Sequence, residues 1–131
     1  MAQKRAVVAI VNYNDKVLLG KKRSDSSKFL AGKWHIPGEN VEGNETDAEA
    51  LIRGIREEAG IEIKIGQYLG DSLTPTSHKK ARWYECFASS DVVVPGSDLE
   101  DLKWVSKREV IEICKERIPF WPKKAIDYFS D

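Results

Sequence analysis

Net charge is the first thing this sequence lacks: 21 basic and 21 acidic side chains cancel over 131 residues. A neutral chain offers no broad field for bulk nucleic acid or an anionic membrane surface. If it handles phosphate, the device has to be local. Cysteine is scarce as well. Cys86 and Cys114 have no CxxC partner, which argues against a metal finger or redox pair and predicts free thiols in a reducing compartment. The two histidines, His35 and His78, stand apart without ligand spacing and read as non-catalytic. Long apolar runs are missing too. The N-terminal one covers only Ala6–Val11, short of a signal peptide's apolar stretch and far short of the roughly 20 residues of a membrane span. We therefore expect a cytoplasmic protein with no membrane partner. No repeat, low-complexity tract or Pro/Gly/Ser linker divides the chain, so residues 1–131 read as one globular domain.

What is present has clear periodicity. Residues 4–11 form a Val/Ile-rich run expected as a buried strand. Asn12, Asn14 and Asp15 supply turn chemistry before an extended Lys16–Arg23, so a hairpin is predicted. Ser24–Lys28 is a polar loop, and Gly32–Gly38 a short extended piece ending in a Pro-Gly turn. The strongest helix prediction is Asp47–Ala59. Thr46 caps it with Glu49 in a capping box, Ala48, Leu51, Ile52, Ile55 and Ala59 form its apolar face, and Gly60 ends it. Ile61, Ile63 and Ile65 then alternate with polar residues in a strand running toward Leu69. Arg82–Ser89 and Lys103–Val105 read as strands and Ser106–Lys115 as a helix capped by Ser106 and Glu109. A last helix follows Pro122, with Ile126 and Phe129 turned inward. Helices mixed with hairpin-like spacings predict an α/β (α+β) sandwich rather than a parallel doubly wound fold.

Charge is unevenly distributed. Seven acidic residues fall between Pro37 and Ile61, offset by basic residues around Lys21–Arg23 and Lys79–Arg82. Hard cations such as Mg²⁺ prefer carboxylate and carbonyl oxygens and share their shell with substrate phosphates. Glu57 and Glu58 are adjacent on the helix, so their side chains diverge by about 100°. Both lie off the Leu51–Ile55 face, and Arg53 is spaced to pair with Glu57 or Glu49. Composition and spacing leave two readings open: a solvated helix face, or a metal clamp between the Pro-Gly segment and the helix carboxylates.

The same segment resembles the Nudix box, whose pattern is G-x5-E-x7-R-E-U-x-E-E-x-G-U with U a bulky aliphatic residue. Glu45, Arg53, Ile55, Glu57, Glu58, Gly60 and Ile61 fall in register, seven of nine fixed positions. The flanks Lys16–Arg23, Gly32-Lys33-Trp34 and Pro37-Gly38 resemble MutT-like members, and the likeness covers residues 5–62 best. It implies a Nudix-type α/β/α sandwich with a mixed β-sheet. It also implies Mg²⁺- or Mn²⁺-dependent hydrolysis of a nucleotide in a monomer or homodimer. The MutT-like reaction converts a nucleoside triphosphate to monophosphate and pyrophosphate, and the short chain, with no N-terminal extension for a swapped dimer, favours it. The alternatives are an ADP-ribose or nucleoside diphosphate sugar substrate, for which Pro75 falls near that subgroup's marker proline, or a nucleotide-binding module with impaired catalysis.

Residue by residue, the resemblance makes Glu58 and Glu57 metal ligands together with the Gly38 carbonyl, with Glu42 a further candidate. Glu45 orients Arg53, which completes the catalytic group. Arg23 becomes a phosphate contact, and Trp34 either a stacking partner for a nucleobase or part of the core. The His78-Lys79-Lys80 cluster with Arg82 is a small basic patch. Two positions depart from the pattern. Glu39 stands for the opening glycine, and Gly54 for the glutamate after Arg53. The general base is therefore open among Glu57, Glu85, Asp98, Glu100 and Asp101, the last three in a segment, Gly96–Trp104, that resembles a downstream acid-supplying loop. Gly54→Glu is expected to raise metal affinity or rate.

Overall fold

The computed structural model describes residues 5–25, 31–73, 79–96 and 99–130. The apolar N-terminal run forms β1, Arg5–Tyr13, and turns through Asn14 and Asp15 into β2, Lys16–Lys22. Both turn residues have positive φ, 48° and 63°, the backbone that a two-residue hairpin with matching twist requires. β3, Trp34–His35, pairs antiparallel with β2. β4, Gly38–Asn40, pairs antiparallel with β1. Pro37-Gly38 is thus strand entry rather than the expected turn. Gly38 sits opposite Val8, and a Cβ there would stand 3.0 Å from the Val7 carbonyl oxygen; a close backbone approach selects the glycine.

The helix α1 spans Asp47–Ala59 as predicted, with both halves of the Thr46–Glu49 capping box formed and Gly60 left-handed at φ 70°. Its buried face is rotated from the expected one. Ala50, Leu51, Gly54, Ile55 and Ala59 are buried, while Ala48 and Ile52 are only partly so. Ile61 is buried ahead of β5, Ile63–Leu73. β6, Lys80–Ala88, runs antiparallel to β5 and parallel to β1.

β7, Leu99–Ser106, is longer than the predicted Lys103–Val105 and pairs along the length of β2. A register shift between Lys21 and Lys22 leaves Glu100 unpaired and returns Leu99 and Leu102 to the same face, which is what a bulge does to an alternating pattern. Glu100 and Asp101 therefore lie on a strand, not in the expected loop. α2, Lys107–Ile113, starts at the Ser106–Glu109 capping box and stops short of Lys115. A 3₁₀ turn at Ile118–Phe120 precedes α3, Lys123–Phe129. Phe129 is buried there and Ile126 only partly.

Among the described residues the strands join in the order β3-β2-β1-β6-β5, with β4 on β1 and β7 on β2. The sheet is mixed. Alternate residues feed two apolar layers: Val7, Ala9, Val11 and Leu18 meet Leu51 and Ile55 of α1. Ile10, Val17 and Leu19 meet Val110 of α2 and Ala125 and Phe129 of α3. Burial on both faces explains why β1 reads as an unbroken apolar run. The result is the expected α/β/α sandwich.

Candidate functional site

The α1 side of the molecule is organised by Arg53. Before the helix, the Glu42 N–H donates to Glu45 Oε1 at 2.9 Å and the Glu45 N–H to the Glu42 carbonyl at 2.9 Å. That closed turn presents the Glu45 carboxylate to the guanidinium. Arg53 Nε donates to Glu45 Oε2 at 2.8 Å and Nη2 to Oε1 at 3.0 Å, a fork that only arginine makes. Nη2 also donates to the Asn40 carbonyl at 2.8 Å, tying α1 to β4. Nη1 faces Glu57 Oε2 at 3.4 Å, Glu42 Oε1 at 3.8 Å and Glu39 Oε2 at 3.9 Å. The Arg53 hydrogen bonds hold the Glu45 carboxyl below its usual range, and Glu45 in turn raises Arg53. Glu45 is the orienting partner of a cation that gathers acids.

β4 contributes backbone oxygen. Ala9 N–H donates to the Pro37 carbonyl and Val41 N–H to the Arg5 carbonyl, so every second residue of this segment faces β1. The Gly38 and Asn40 carbonyls point the other way, toward the edge where Arg53 reaches Asn40. At the far end of α1, Val94 N–H caps the Ala59 carbonyl and Gly96 N–H the Glu58 carbonyl, both at 3.0 Å. Glu58 lies one helical turn beyond Gly54, partly buried, with Oε2 shielded from solvent. Gly54 itself is covered by Glu39: a Cβ at 54 would stand 2.7 Å from Glu39 Cβ and 2.8 Å from its Cγ. The two positions that depart from the box pattern touch. Gly54→Glu on its own, expected from the sequence to be a gain, therefore collides with Glu39.

Residues 2–129 match the NUDIX domain model. The chain belongs to the NUDIX family. It is 26% identical over 106 residues to the NAD-capped RNA hydrolase NudC of Pseudomonas putida, covering 80% of this chain and 37% of that protein. It is 40% identical over 63 residues to the CTP pyrophosphohydrolase of Escherichia coli, covering 48% of this chain and 45% of that one. The chain thus spans less than half the length of these curated relatives. A NUDIX hydrolase of Nitrosomonas europaea superposes with a TM-score of 0.78 at 19% identity, over 99% of this chain and 72% of the other, which shows the shared fold.

Against this Nudix frame, the oxygen-only set of Glu57, Glu58, Glu39 and the Gly38 carbonyl has the chemistry that Mg²⁺ or Mn²⁺ selects. Among the described residues no three acidic, cysteine or histidine side chains stand close enough to enclose an ion as oriented; Glu39, Glu42 and Glu57 turn toward Arg53 instead. The donor types fit the cation, and binding it requires those carboxylates to rotate away from the guanidinium.

The remaining candidates disperse. Trp34 packs on the α2 side, with Lys103 Nζ 4.2 Å above its ring, and lines a recess of about 320 Å³ with Lys21, Ile113 and Cys114. That is the face opposite α1, so Trp34 belongs to the core edge rather than to the box. Arg23 lies just beyond β2, exposed, with its guanidinium on Asp25 at 3.1 Å. Glu85 accepts from the Tyr128 hydroxyl of α3 at 2.8 Å, on the face of the sheet opposite α1. Glu100 accepts from the Ser24 N–H and hydroxyl at 2.8 and 2.9 Å, and these bonds lower its carboxyl. Asp101 accepts from its neighbour's N–H, Leu102. Asp98, Pro75 and His78 lie outside the described residues.

The basic patch is also engaged. Lys79 Nζ donates to Asn40 Oδ1 at 2.7 Å, and Arg82 meets Asp47 at 3.3 Å within a network that adds Arg5 and the Tyr84 hydroxyl. His35 is partly buried, and burial pushes its imidazole down to about 4. Sequence reasoning missed the contributions of Asn40 and Glu39. Their signal was present only for Glu39, as a departure from the pattern.

Proposed function

We propose that this Nudix domain is a divalent-metal-dependent pyrophosphohydrolase that converts a nucleoside triphosphate to monophosphate and pyrophosphate. The observation that carries the reading is the Arg53 centre. It holds Glu45 and the Asn40 carbonyl on the guanidinium and gathers the Glu57, Glu42 and Glu39 carboxylates around it, with Glu57 one residue before Glu58 on the same helix. Glu57, Glu58 and the Gly38 carbonyl would hold Mg²⁺ or Mn²⁺, which when bound neutralises pyrophosphate charge and polarises water.

The chain's own residues do the rest. Water attacks phosphorus, the bond to the bridging oxygen breaks, and the leaving pyrophosphate takes that electron pair. The water's proton goes to a carboxylate. Of the candidate bases among the described residues, Glu57 is the one on the box face, half-exposed at 49% with Oε2 facing Arg53. Arg23, at the end of β2, would meet non-bridging phosphate oxygens by exchanging its exposed partner Asp25. The partial likeness to a CTP pyrophosphohydrolase supports the triphosphate; the longer likeness to an NAD-capped RNA hydrolase favours a dinucleotide pyrophosphate as the second reading. The same proposal takes residues 1–131 as one catalytic domain, monomeric or homodimeric, in the cytoplasm. Burial raises the Cys86 and Cys114 thiols to about 12 and about 11, keeping them unreactive there.

The test is a panel of nucleoside triphosphates, NAD, ADP-ribose and a nucleoside diphosphate sugar, incubated with Mg²⁺ or Mn²⁺. Phosphate release is read after added pyrophosphatase for the triphosphates and after added phosphatase for the others. Release above a Glu58→Gln control identifies the substrate. No release above that control for any compound leaves a nucleotide-binding module.

A further inference from the structure

The two departures from the box pattern exchange residue types: glutamate where glycine is usual, glycine where glutamate is usual. In the fold they are a single contact. Glu39 pairs with Val7 on β1, and Val7 faces the α1 layer, so the Glu39 side chain projects toward the helix. Gly54 is buried at the point it reaches. The Glu39 Cβ and Cγ occupy the space that a side chain at 54 would enter, 2.7 and 2.8 Å from the position of its first carbon. Glu39 Oε2 lies 3.6 Å from that same position. A glutamate rooted there would place its own carboxylate oxygens about 3–4 Å from its Cβ, given C–C bonds of roughly 1.5 Å. The acid is therefore displaced in sequence, with its oxygen inside the radius that a glutamate at 54 would reach. Asn40 N–H donates to Glu39 Oε1 at 2.8 Å and Arg53 Nη1 stands 3.9 Å from Oε2, so the carboxylate is held inside the cluster that contains Glu57.

We propose that Glu39, projecting from β4 across Gly54, supplies the carboxylate that the Nudix box otherwise draws from the helix. Each departure requires the other. Two glutamates would force their side chains into one volume and set like charges together, and two glycines would leave a gap with no acid. The assignment rests on the metal-dependent reading above and names the residue that makes this particular chain competent for it.

The test is a Mn²⁺ titration of the full chain, followed by the paramagnetic signal of free Mn²⁺, with metal-free melting curves alongside. The variants are Glu39→Gln, Glu39→Gly, Gly54→Glu, the double Glu39→Gly/Gly54→Glu, and Glu58→Gln. Glu39→Gln keeps the packing and should weaken Mn²⁺ binding about tenfold or more at an almost unchanged metal-free Tm. Gly54→Glu should lower the metal-free Tm, and the double exchange should restore binding to within about threefold of the wild type. Wild-type affinity in Glu39→Gln, or a double exchange no better than Glu39→Gly, overturns the assignment. Binding that is lost in Glu58→Gln but kept in Glu39→Gln overturns it alone. Equal binding by the wild type and Glu58→Gln takes down the hydrolase reading and this assignment with it.

Discussion

On the α1 side of the sheet, four carboxylates stand within 3.9 Å of one guanidinium above a layer of Val7, Leu51 and Ile55. On the α2 and α3 side the aromatic rings of Trp83, Trp121 and Phe129 pack in series at a tilt, and charged groups meet rings and hydroxyls one at a time. Both faces bury apolar layers of similar make-up. The difference lies in how charge is placed. Acids held around one cation keep a carboxylate surplus that a divalent ion can take up, whereas Glu85 beside Tyr128 is a single hydrogen-bonded acid in a packed wall. The first arrangement suits chemistry and the second suits stability.

Arg53→Lys should break this contrast most sharply. It keeps the charge but removes the fork to Glu45 and the bond to Asn40, so kcat/KM on the identified substrate should fall about 10²-fold or more. Steady-state kinetics on folded protein, verified by circular dichroism, measures it. Phe129→Ala should do the reverse. Deleting a ring that is 3% exposed should cost about 3–5 kcal/mol in denaturant unfolding while leaving kcat/KM of the folded fraction nearly unchanged.

pH adds a finer separation. His35 is depressed to about 4 by burial, so the unfolded chain takes up its proton first as pH falls. Stability should be fully present above about 6.5 and decline as pH drops toward 4, and His35→Gln should flatten that slope in urea melts. The Glu45 contribution, from a carboxyl held below its usual range by Arg53, should be fully present above about 4.5 and be lost as pH falls below that, as the unfolded chain and then the folded one protonates Glu45. Gly54→Ala should give the smallest effect. The helix gains about 1 kcal/mol of propensity, but a Cβ 2.7 Å from Glu39 Cβ pushes the strand or side chain aside. We expect a net Tm change of a few degrees at most, with weakened Mn²⁺ binding.

Much of this was legible in the chain because local signals agreed. For α1 the capping box, the 3.6-residue period and Gly60 all mark the same bounds, and the observed helix has them. The Asn14-Asp15 turn was equally plain. β7 was only partly legible, since a bulge spaces Leu99 and Leu102 three apart and hides the alternation. Pro37-Gly38 has turn chemistry, yet the approach of β1 draws Gly38 into a strand. For Glu85, alternation gave the correct partners in Trp83 and Phe87 but could not say which face of the sheet they occupy; Tyr128 of α3 decides that. The Glu39–Gly54 contact depends on β4 meeting α1, a tertiary fact that no local rule contains.

One pair of rates decides whether chemistry belongs to the α1 face. Mn²⁺-dependent hydrolysis of the identified substrate is measured for Glu58→Gln and Glu85→Gln beside the wild type. We predict loss of about 10²-fold or more in the first and a rate within about threefold of wild type in the second. Equal rates in the two variants, or a larger loss in Glu85→Gln, would contradict the account.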